Sequence, residues 1–168
     1  MSLDLRRLYE EHASSLFAFL LNLTRSESET RELLQDLFVK LATKSAPLHE
    51  VRDVRAWLVR LAHHLFIDAY RRRTSHARMI ERVAADSTAL FEPSHDLDEQ
   101  SFRGALAGAL GELPAEQRAV VHLKLWEEMT FAQIAEALEI SPDTAASRYR
   151  YGLDKLQTLL RPLYEELS

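Results

Sequence analysis

Residues 130–153, TFAQIAEALEISPDTAASRYRYGL, are the stretch that decides the fold. Thr130 followed by Gln133 has the form of a capping box, which predicts the start of a short helix. The Ser-Pro-Asp sequence at 141–143 supplies an N-cap, a first-turn proline and a first-turn acid for a second helix. A short helix, a tight turn and a second capped helix form a helix-turn-helix, whose second helix can enter the major groove of DNA.

The outward face of this second helix holds the candidates for contact with bases or phosphates. They are Thr144, Ala146, Ser147, Arg148, Arg150 and Tyr151. Glu139 lies in the turn, where many such motifs use glycine because the position often needs a positive φ. A glutamate in that geometry costs on the order of 1 kcal/mol, so the sequence leaves open whether this turn has that geometry or a different shape. Helix pairs of this kind also occur in proteins that never touch DNA, so the motif favours DNA binding without establishing it.

Apolar side chains recur at steps of three and four residues through much of the remaining chain, which is typical of amphipathic helices. One stripe runs over residues 3–23, and a capping box formed by Ser26 and Glu29 opens a second helix. A third stripe runs from Val54 to Ala69. With only four glycines and five prolines, the chain is predicted to be all-α. We expect an N-terminal bundle of three to four helices and a C-terminal helix-turn-helix domain.

Residues 84–96 are rich in acidic residues and also contain serine and proline, which predicts a flexible acidic linker between two small domains. The N-terminal domain then spans residues 1–83 and the C-terminal domain residues 97–168. The sequence leaves open how the two domains sit against each other, because such a linker permits both a compact and an open arrangement.

Charge is distributed unevenly along the chain. The net charge is −5, yet residues 55–82 carry seven arginines against two acids, a local charge of +5. A concentrated basic segment inside an acidic chain fits nucleic-acid binding at one place, and it equally fits a solvated helix end.

The chain has no cysteine, which excludes disulfides, thiolate zinc sites and thiol catalysis. No signal peptide is evident at the N-terminus. Apolar runs such as residues 16–21 fall well short of the roughly 20 residues that span a bilayer. We therefore expect no membrane insertion and a cytoplasmic location.

Two segments resemble the extracytoplasmic-function sigma factors, the smallest group of bacterial sigma factors. Residues 8–75 resemble the family's region two through Leu8-Tyr9-Glu10, Glu32 to Phe38, Ala56-Trp57-Leu58, Arg60-Leu61-Ala62, Asp68 and Arg71-Arg72-Arg73. Residues 113–157 resemble its region four through Leu113-Pro114, Gln117-Arg118, Phe131 to Leu138, Ile140-Ser141, Thr144 and Ser147-Arg148. The resemblance implies core RNA polymerase and promoter DNA as partners and, by analogy, an anti-sigma factor as inhibitor.

The resemblance also implies roles for particular residues. Docking on core RNA polymerase falls to Glu32, Gln35 and Asp36. Contact with the melted minus-ten promoter element falls to Arg52, Arg55, Arg60, His64, Arg71, Arg72 and Arg73. Contact with the minus-thirty-five element falls to the six outward residues of the second helix of the helix-turn-helix. The implied function is to bind core polymerase, recognise and open the promoter, and start transcription.

Three positions depart from the family's usual residues. His64 replaces an asparagine that helps to read the minus-ten element, which leaves the promoter preference open. Ala146 replaces a basic residue and Tyr151 replaces arginine, and a good bidentate base contact is worth roughly 1–3 kcal/mol. We predict weak or unusual minus-thirty-five recognition that rests on Ser147, Arg150 and Tyr151.

Three other functions compete with this one. A helix-turn-helix regulator that acts without polymerase would leave Gln35, Asp36 and the arginine-rich third helix unexplained. A sigma-like protein that does not support initiation would keep the fold. An enzyme has little support: His64 and Asp68 have a spacing that metals can use, but no third ligand, phosphate loop or nucleophile is indicated. We predict no catalytic residue, metal or cofactor.

Overall fold

The computed structural model describes residues 4–43, 51–76 and 97–167. These residues form seven helices and no strand. The helices are α1 (Leu5–Thr24), α2 (Glu27–Thr43), α3 (Val54–His76), α4 (Leu97–Glu112), α5 (Ala115–Leu125), α6 (Phe131–Leu138) and α7 (Pro142–Leu167). The all-α prediction is confirmed, while the predicted linker at 84–96 lies outside the described residues.

Side-chain caps fix where the first two helices begin. The Asp4 carboxylate accepts a hydrogen bond from the backbone N–H of Arg7 at 3.1 Å and so caps α1. The Ser26 hydroxyl accepts one from the backbone N–H of Glu29 at 3.4 Å, at the predicted start of α2. Each cap satisfies an amide that the helix itself leaves without a partner.

Helices α1, α2 and α3 form the N-terminal half, with α1 packed against both of the others. Phe19, Leu20, Leu37 and Leu58 are fully enclosed, so the apolar stripes do face inward. Tyr9 is an exception, since this residue of the first stripe is 54% exposed. Its ring packs edge-on against Phe38, with centroids 5.1 Å apart. The stripe on α1 is wider than the surface that α2 and α3 cover, and its edge stays at the surface.

Helices α4 to α7 form the C-terminal half, and α5 is shorter than the sequence suggests. We expect this helix to start with Pro114 in its first turn and to reach Glu128, but Pro114 is its N-cap and its last residue is Leu125. Glu128 adopts a left-handed conformation, with φ 52°, and Met129 donates to the Leu123 carbonyl at 3.1 Å. This turn places Met129 in the core, fully buried, which a longer helix would prevent.

Helices α6 and α7 form the predicted helix-turn-helix. Both bonds of the capping box between Thr130 and Gln133 are present. The Ser141 hydroxyl accepts from the backbone N–H of Thr144 at 3.0 Å and caps α7. Ala145 is fully buried, which allows the close approach of the two helices.

The two halves share one hydrophobic core, a point that the sequence leaves open. Helix α1 packs against α5, and α3 packs against α6. A single cluster of buried side chains runs from Leu20 and Leu58 in the N-terminal half to Val120, Leu123 and Ile134 in the C-terminal half. In the described part of the chain, the two halves are therefore in direct contact.

Two glycine substitutions are expected to change stability in opposite directions. A Cβ at Gly152 would lie 2.7 Å from Cγ2 of the buried Val121, and overpacking of this kind costs about 1–3 kcal/mol. A Cβ at Gly108 on α4 meets nothing within 4 Å, and alanine is favoured over glycine in a helix by about 1 kcal/mol. Urea unfolding should show that Gly152→Ala lowers and Gly108→Ala raises the free energy of unfolding. Equal shifts in the two variants would contradict this packing.

Candidate nucleic-acid interface

Two arginines of α3 donate hydrogen bonds to the backbone of the C-terminal half. Arg55 Nη1 donates to the Glu127 carbonyl at 2.9 Å, and Arg60 Nη2 donates to the Glu136 carbonyl at 2.8 Å. The Glu127 carboxylate lies 3.9 Å from the same Arg55 nitrogen and accepts a short hydrogen bond from Ser15 on α1. Two of the six arginines predicted to contact the minus-ten element are thus engaged by protein oxygens.

His64 lies one turn beyond Arg60 and faces Glu139. Its Nε2 is 3.2 Å from one carboxylate oxygen, and the other lies 3.9 Å from Nε of Arg60. The His64 and Glu139 side chains are 48% and 54% exposed, so water screens their interaction. Glu139 has φ 58°, so the turn adopts the positive-φ geometry that the sequence leaves open. The left-handed backbone costs this residue about 1 kcal/mol, since it is not glycine.

The other arginines predicted to contact the minus-ten element lie at the two ends of α3. Arg52 is exposed just before the helix, and Arg71 and Arg72 are exposed near its C-terminus. Arg73 forms an ion pair with Glu29 of α2. The residues predicted to contact the minus-ten element therefore fall into two sets. Arg55, Arg60 and His64 face the C-terminal half, and the arginines at the two ends of α3 are exposed to solvent.

Two histidines close to this interface are kept neutral by their surroundings. Burial lowers the pKa of His63 to about 4, with further lowering from His64 and Arg148 and an opposing effect of Glu139. Burial also lowers the pKa of His122 to about 4, where its Nδ1 lies 3.1 Å from the Asn22 side-chain nitrogen. Both rings are therefore neutral at neutral pH, and neither adds positive charge to the interface.

The predicted DNA-reading face of α7 is only partly accessible. Arg150 and Tyr151 are exposed, and the Arg150 guanidinium lies 5.3 Å from the centre of the Tyr151 ring. Ala146 and Ser147, which we expect to point outward, are half-buried instead, as is Thr144. Helices α4, α5 and α6 all pack against α7 and leave few of its positions in contact with solvent.

Arg148 is also half-buried, and its guanidinium lies 3.7 Å from the Glu116 carboxylate on α5. The sequence predicts Arg148 as a phosphate ligand, but in the structure its guanidinium pairs with Glu116. Of the six residues predicted to meet the minus-thirty-five element, only Arg150 and Tyr151 are exposed.

A groove of about 610 Å³ lies between α1 and α2. Its lining is mostly apolar and includes Tyr9, Phe38 and Val39, with Gln35 among the polar members. Gln35, Glu32 and Asp36 are all exposed on α2. The three predicted polymerase-docking residues therefore share one accessible helix surface beside an apolar groove.

Comparison with known proteins gives two matches, in the order that the sequence predicts. A family model of sigma-70 region 2 matches residues 8–85, and a model of sigma-70 region 4 matches residues 103–156. The extracytoplasmic-function RNA polymerase sigma factor SigL of Mycobacterium tuberculosis is 28% identical over 160 residues, which cover 95% of this chain and 90% of SigL. The chain belongs to the extracytoplasmic-function sigma factors. It directs RNA polymerase in transcription initiation.

Other relatives agree with this assignment. The sigma factor CarQ of Myxococcus xanthus is 28% identical, with 96% of this sigma factor and 91% of CarQ covered. SigX of Bacillus subtilis is 24% identical, with 95% of this sigma factor and 85% of SigX covered. Sequence similarity thus extends over nearly the whole chain.

Two solved structures share the fold. RpoE of Bartonella quintana, solved with the anti-sigma factor NepR, superposes with a TM-score of 0.75 at 24% identity and covers 94% of this sigma factor and 97% of RpoE. CnrH, solved with the cytosolic domain of CnrY, gives a TM-score of 0.66 at 22% identity and covers 94% and 88% of the two chains.

The described part of the sigma factor offers no cluster of three or more histidine, aspartate or glutamate side chains that could hold a metal. No helix within that part is both long enough and apolar enough to cross a membrane.

The sequence did not reveal the partners of Arg55, Arg60 and His64. It also did not reveal the polar groups buried between the two halves. Arg118 and His122 are buried within α5, and Arg118 donates to the Leu23 carbonyl of α1 at 3.0 Å. The sequence did contain a signal for the burial of both side chains, since both lie among apolar residues of α5. It could not identify their partners, because Leu23 lies 95 positions away in the chain.

Proposed function

We propose that this sigma factor uses three separate surfaces: the α1–α2 groove for core polymerase, α3 for the melted minus-ten strand, and α7 for the minus-thirty-five element. Residues 1–83 then form the polymerase and minus-ten domain, and residues 97–168 the minus-thirty-five domain. The observation that carries the proposal is that exposed Gln35 and Asp36 adjoin an apolar groove, while the arginines line a different helix. Docking and strand binding therefore need not compete for one site.

The groove supports a polymerase contact through its composition. Tyr9 and Val39 are both more than half exposed, which is unusual for neighbouring large apolar side chains. Glu32 and Asp36 add carboxylates beside them. An apolar centre with a polar rim is the usual composition of a protein interface.

Helix α3 supports strand binding through its cations. A single strand needs positive charge along its backbone, and Arg52, Arg55, Arg60, Arg71 and Arg72 are spread over the length of this helix and its N-terminal approach. Trp57 is half-buried and packs against the hydrophobic core, which makes it a poor candidate for stacking on a base.

The minus-thirty-five surface is expected to be weak. Arg150 and Tyr151 are the exposed members of the predicted set, and Ala146 has no charge to offer. Residues 112–168 carry ten acids against six bases, a local charge of −4 that opposes binding to free DNA. Recognition in this region then depends on polymerase to hold the C-terminal half near the promoter.

An anti-sigma factor is the expected regulatory partner. RpoE, which shares this fold, was solved in complex with the anti-sigma factor NepR. CnrH, which also shares it, was solved in complex with the cytosolic domain of CnrY. The exposed apolar groove offers a surface for a similar inhibitor. We place the action of this sigma factor in the cytoplasm and assign it no catalytic chemistry of its own.

Run-off transcription with core polymerase and a promoter library tests the proposal. We expect transcripts from a subset of promoters that share a minus-ten element and vary at minus-thirty-five. A chain that binds core polymerase yet yields no transcript would be a sigma-like protein without initiation activity. A chain that shifts duplex DNA alone and ignores polymerase would be an independent regulator.

A further inference from the structure

We propose that Tyr70 is the residue on which one unpaired base of the promoter strand stacks. Its side chain is 51% exposed near the C-terminus of α3, and the exposed Arg71 follows it directly. Proteins that hold a single strand combine cations for the backbone with aromatic rings for the bases. This inference rests on the proposed binding of the melted strand by α3, and it supplies the aromatic ring that the arginines lack.

Tyr70 lies at the border between two sides of α3. Successive residues of a helix point about 100° apart, so Arg60, His64 and Arg71 lie within about 40° of one another on one side. Phe66, one turn before Tyr70, belongs to the apolar side and is only 8% exposed. Tyr70 falls between these two sides. Its ring is therefore next to the side chains that are proposed to bind the strand.

The Tyr70 ring is supported by the protein and still accessible to a ligand. Its centroid lies 6.1 Å from that of Phe66, with an angle of 37° between the two planes. Trp57 is half-buried and Phe66 is buried, which leaves Tyr70 as the most exposed phenylalanine, tyrosine or tryptophan ring of α3. A base can cover such a ring without a particular pattern of hydrogen bonds, because every base has a π-face.

The charges around Tyr70 favour a nucleic-acid strand as the occupant. Arg71 and Arg72 are exposed beside it, while Arg73 pairs with Glu29 and so joins this end of α3 to α2. A strand brings phosphate oxygens to the arginines and a flat base to the ring in one ligand. An apolar protein segment could cover the ring, but it would bring no negative charge to the arginines.

Holoenzyme assembled from core polymerase and the full sigma chain tests this role. The probe is a labelled promoter recovered from the run-off library and prepared with a mismatched bubble over the minus-ten element. Fluorescence anisotropy at fixed salt measures its affinity for the wild type, for Tyr70→Leu, which removes the ring, and for Tyr70→Phe, which keeps it. Phe102→Leu is the matched control, because it removes an exposed aromatic ring from α4 instead. Each base of the bubble is also replaced in turn by an abasic site.

We expect Tyr70→Leu to bind the bubble roughly tenfold more weakly than the wild type, since the loss of one base–aromatic stack has an effect of this size. Tyr70→Phe and Phe102→Leu should keep the wild-type affinity. At one position, an abasic site should weaken the wild type and leave Tyr70→Leu unchanged, because the same stack cannot be lost twice. Wild-type affinity of Tyr70→Leu would overturn the stacking role, and so would equal losses for both proteins at every abasic position.

Arg71→Gln separates this inference from the proposed function of α3. If Arg71→Gln weakens binding to the bubble and Tyr70→Leu does not, α3 still binds the strand and only the stacking role fails. If neither variant changes the affinity, α3 is not the strand surface and both proposals fail. Helix content and unfolding temperature, measured for each variant, show that the fold is unchanged.

Discussion

The double variant Gln35→Lys/Asp36→Lys is expected to bind core polymerase about 100-fold more weakly than the wild type. Both side chains are exposed on α2, and Gln35 lines the α1–α2 groove. Placing the wrong charge in a protein interface costs several kcal/mol, and about 2.7 kcal/mol corresponds to 100-fold in affinity. Size-exclusion chromatography or fluorescence anisotropy with purified core polymerase, without DNA, measures the change.

Asp68→Lys is the matched control for this experiment. Asp68 is an exposed carboxylate on α3, outside the groove, and its reversal changes the net charge as Asp36→Lys does. We expect its polymerase affinity to stay within roughly threefold of the wild type, since isolated surface charges contribute little. Helix content and unfolding temperature should be unchanged in both proteins. Wild-type affinity of the double variant would move the docking surface away from α2.

Arg118→Met is expected to produce the largest loss of stability. The buried guanidinium donates to the Leu113 and Leu23 carbonyls, both at 3.0 Å, and to the Leu110 carbonyl at 3.4 Å. Burial, assisted by Arg25, lowers the pKa of Arg118 to about 10, so it stays charged at neutral pH. Methionine fills similar space but leaves three carbonyls without this donor. Hydrogen bonds to a charged group are worth about 1.5–3 kcal/mol each, and relief of the buried charge offsets part of that.

The net loss for Arg118→Met should be about 2–5 kcal/mol, or a fall of roughly 5–15 °C in unfolding temperature. Calorimetry or urea unfolding measures it. Arg148→Met is the comparison, because Arg148 is only half-buried and pairs with an exposed glutamate at 3.7 Å. It should change the free energy of unfolding by less than about 1 kcal/mol. Similar losses in both variants would mean that the carbonyl contacts of Arg118 stabilise the protein no more than the Arg148–Glu116 ion pair does.

Local chemistry made the helix-turn-helix predictable. The capping bonds of Thr130, Gln133 and Ser141 join residues three positions apart, and all of them form. The sequence marked Glu139 as a turn position where a positive φ is common, but it left open whether this turn adopts one. Such features depend on neighbouring residues alone, and the sequence displays them directly.

Contacts between distant segments could not be predicted in the same way. Periodicity identifies the apolar side of a helix, but it does not say which element covers that side or how far the cover extends. Tyr9 therefore lies at the surface despite its place on the stripe, and Ala146 is half-buried despite its predicted outward position. The pairing of His64 with Glu139 depends on the docking of two halves, which no local pattern encodes.

The α1–α2 groove stays accessible, while Arg55 and Arg60 of α3 donate hydrogen bonds to the C-terminal half. An order of assembly follows from this difference. Under the proposed assignment of these surfaces, polymerase can bind the free chain without any change in the contact between the two halves.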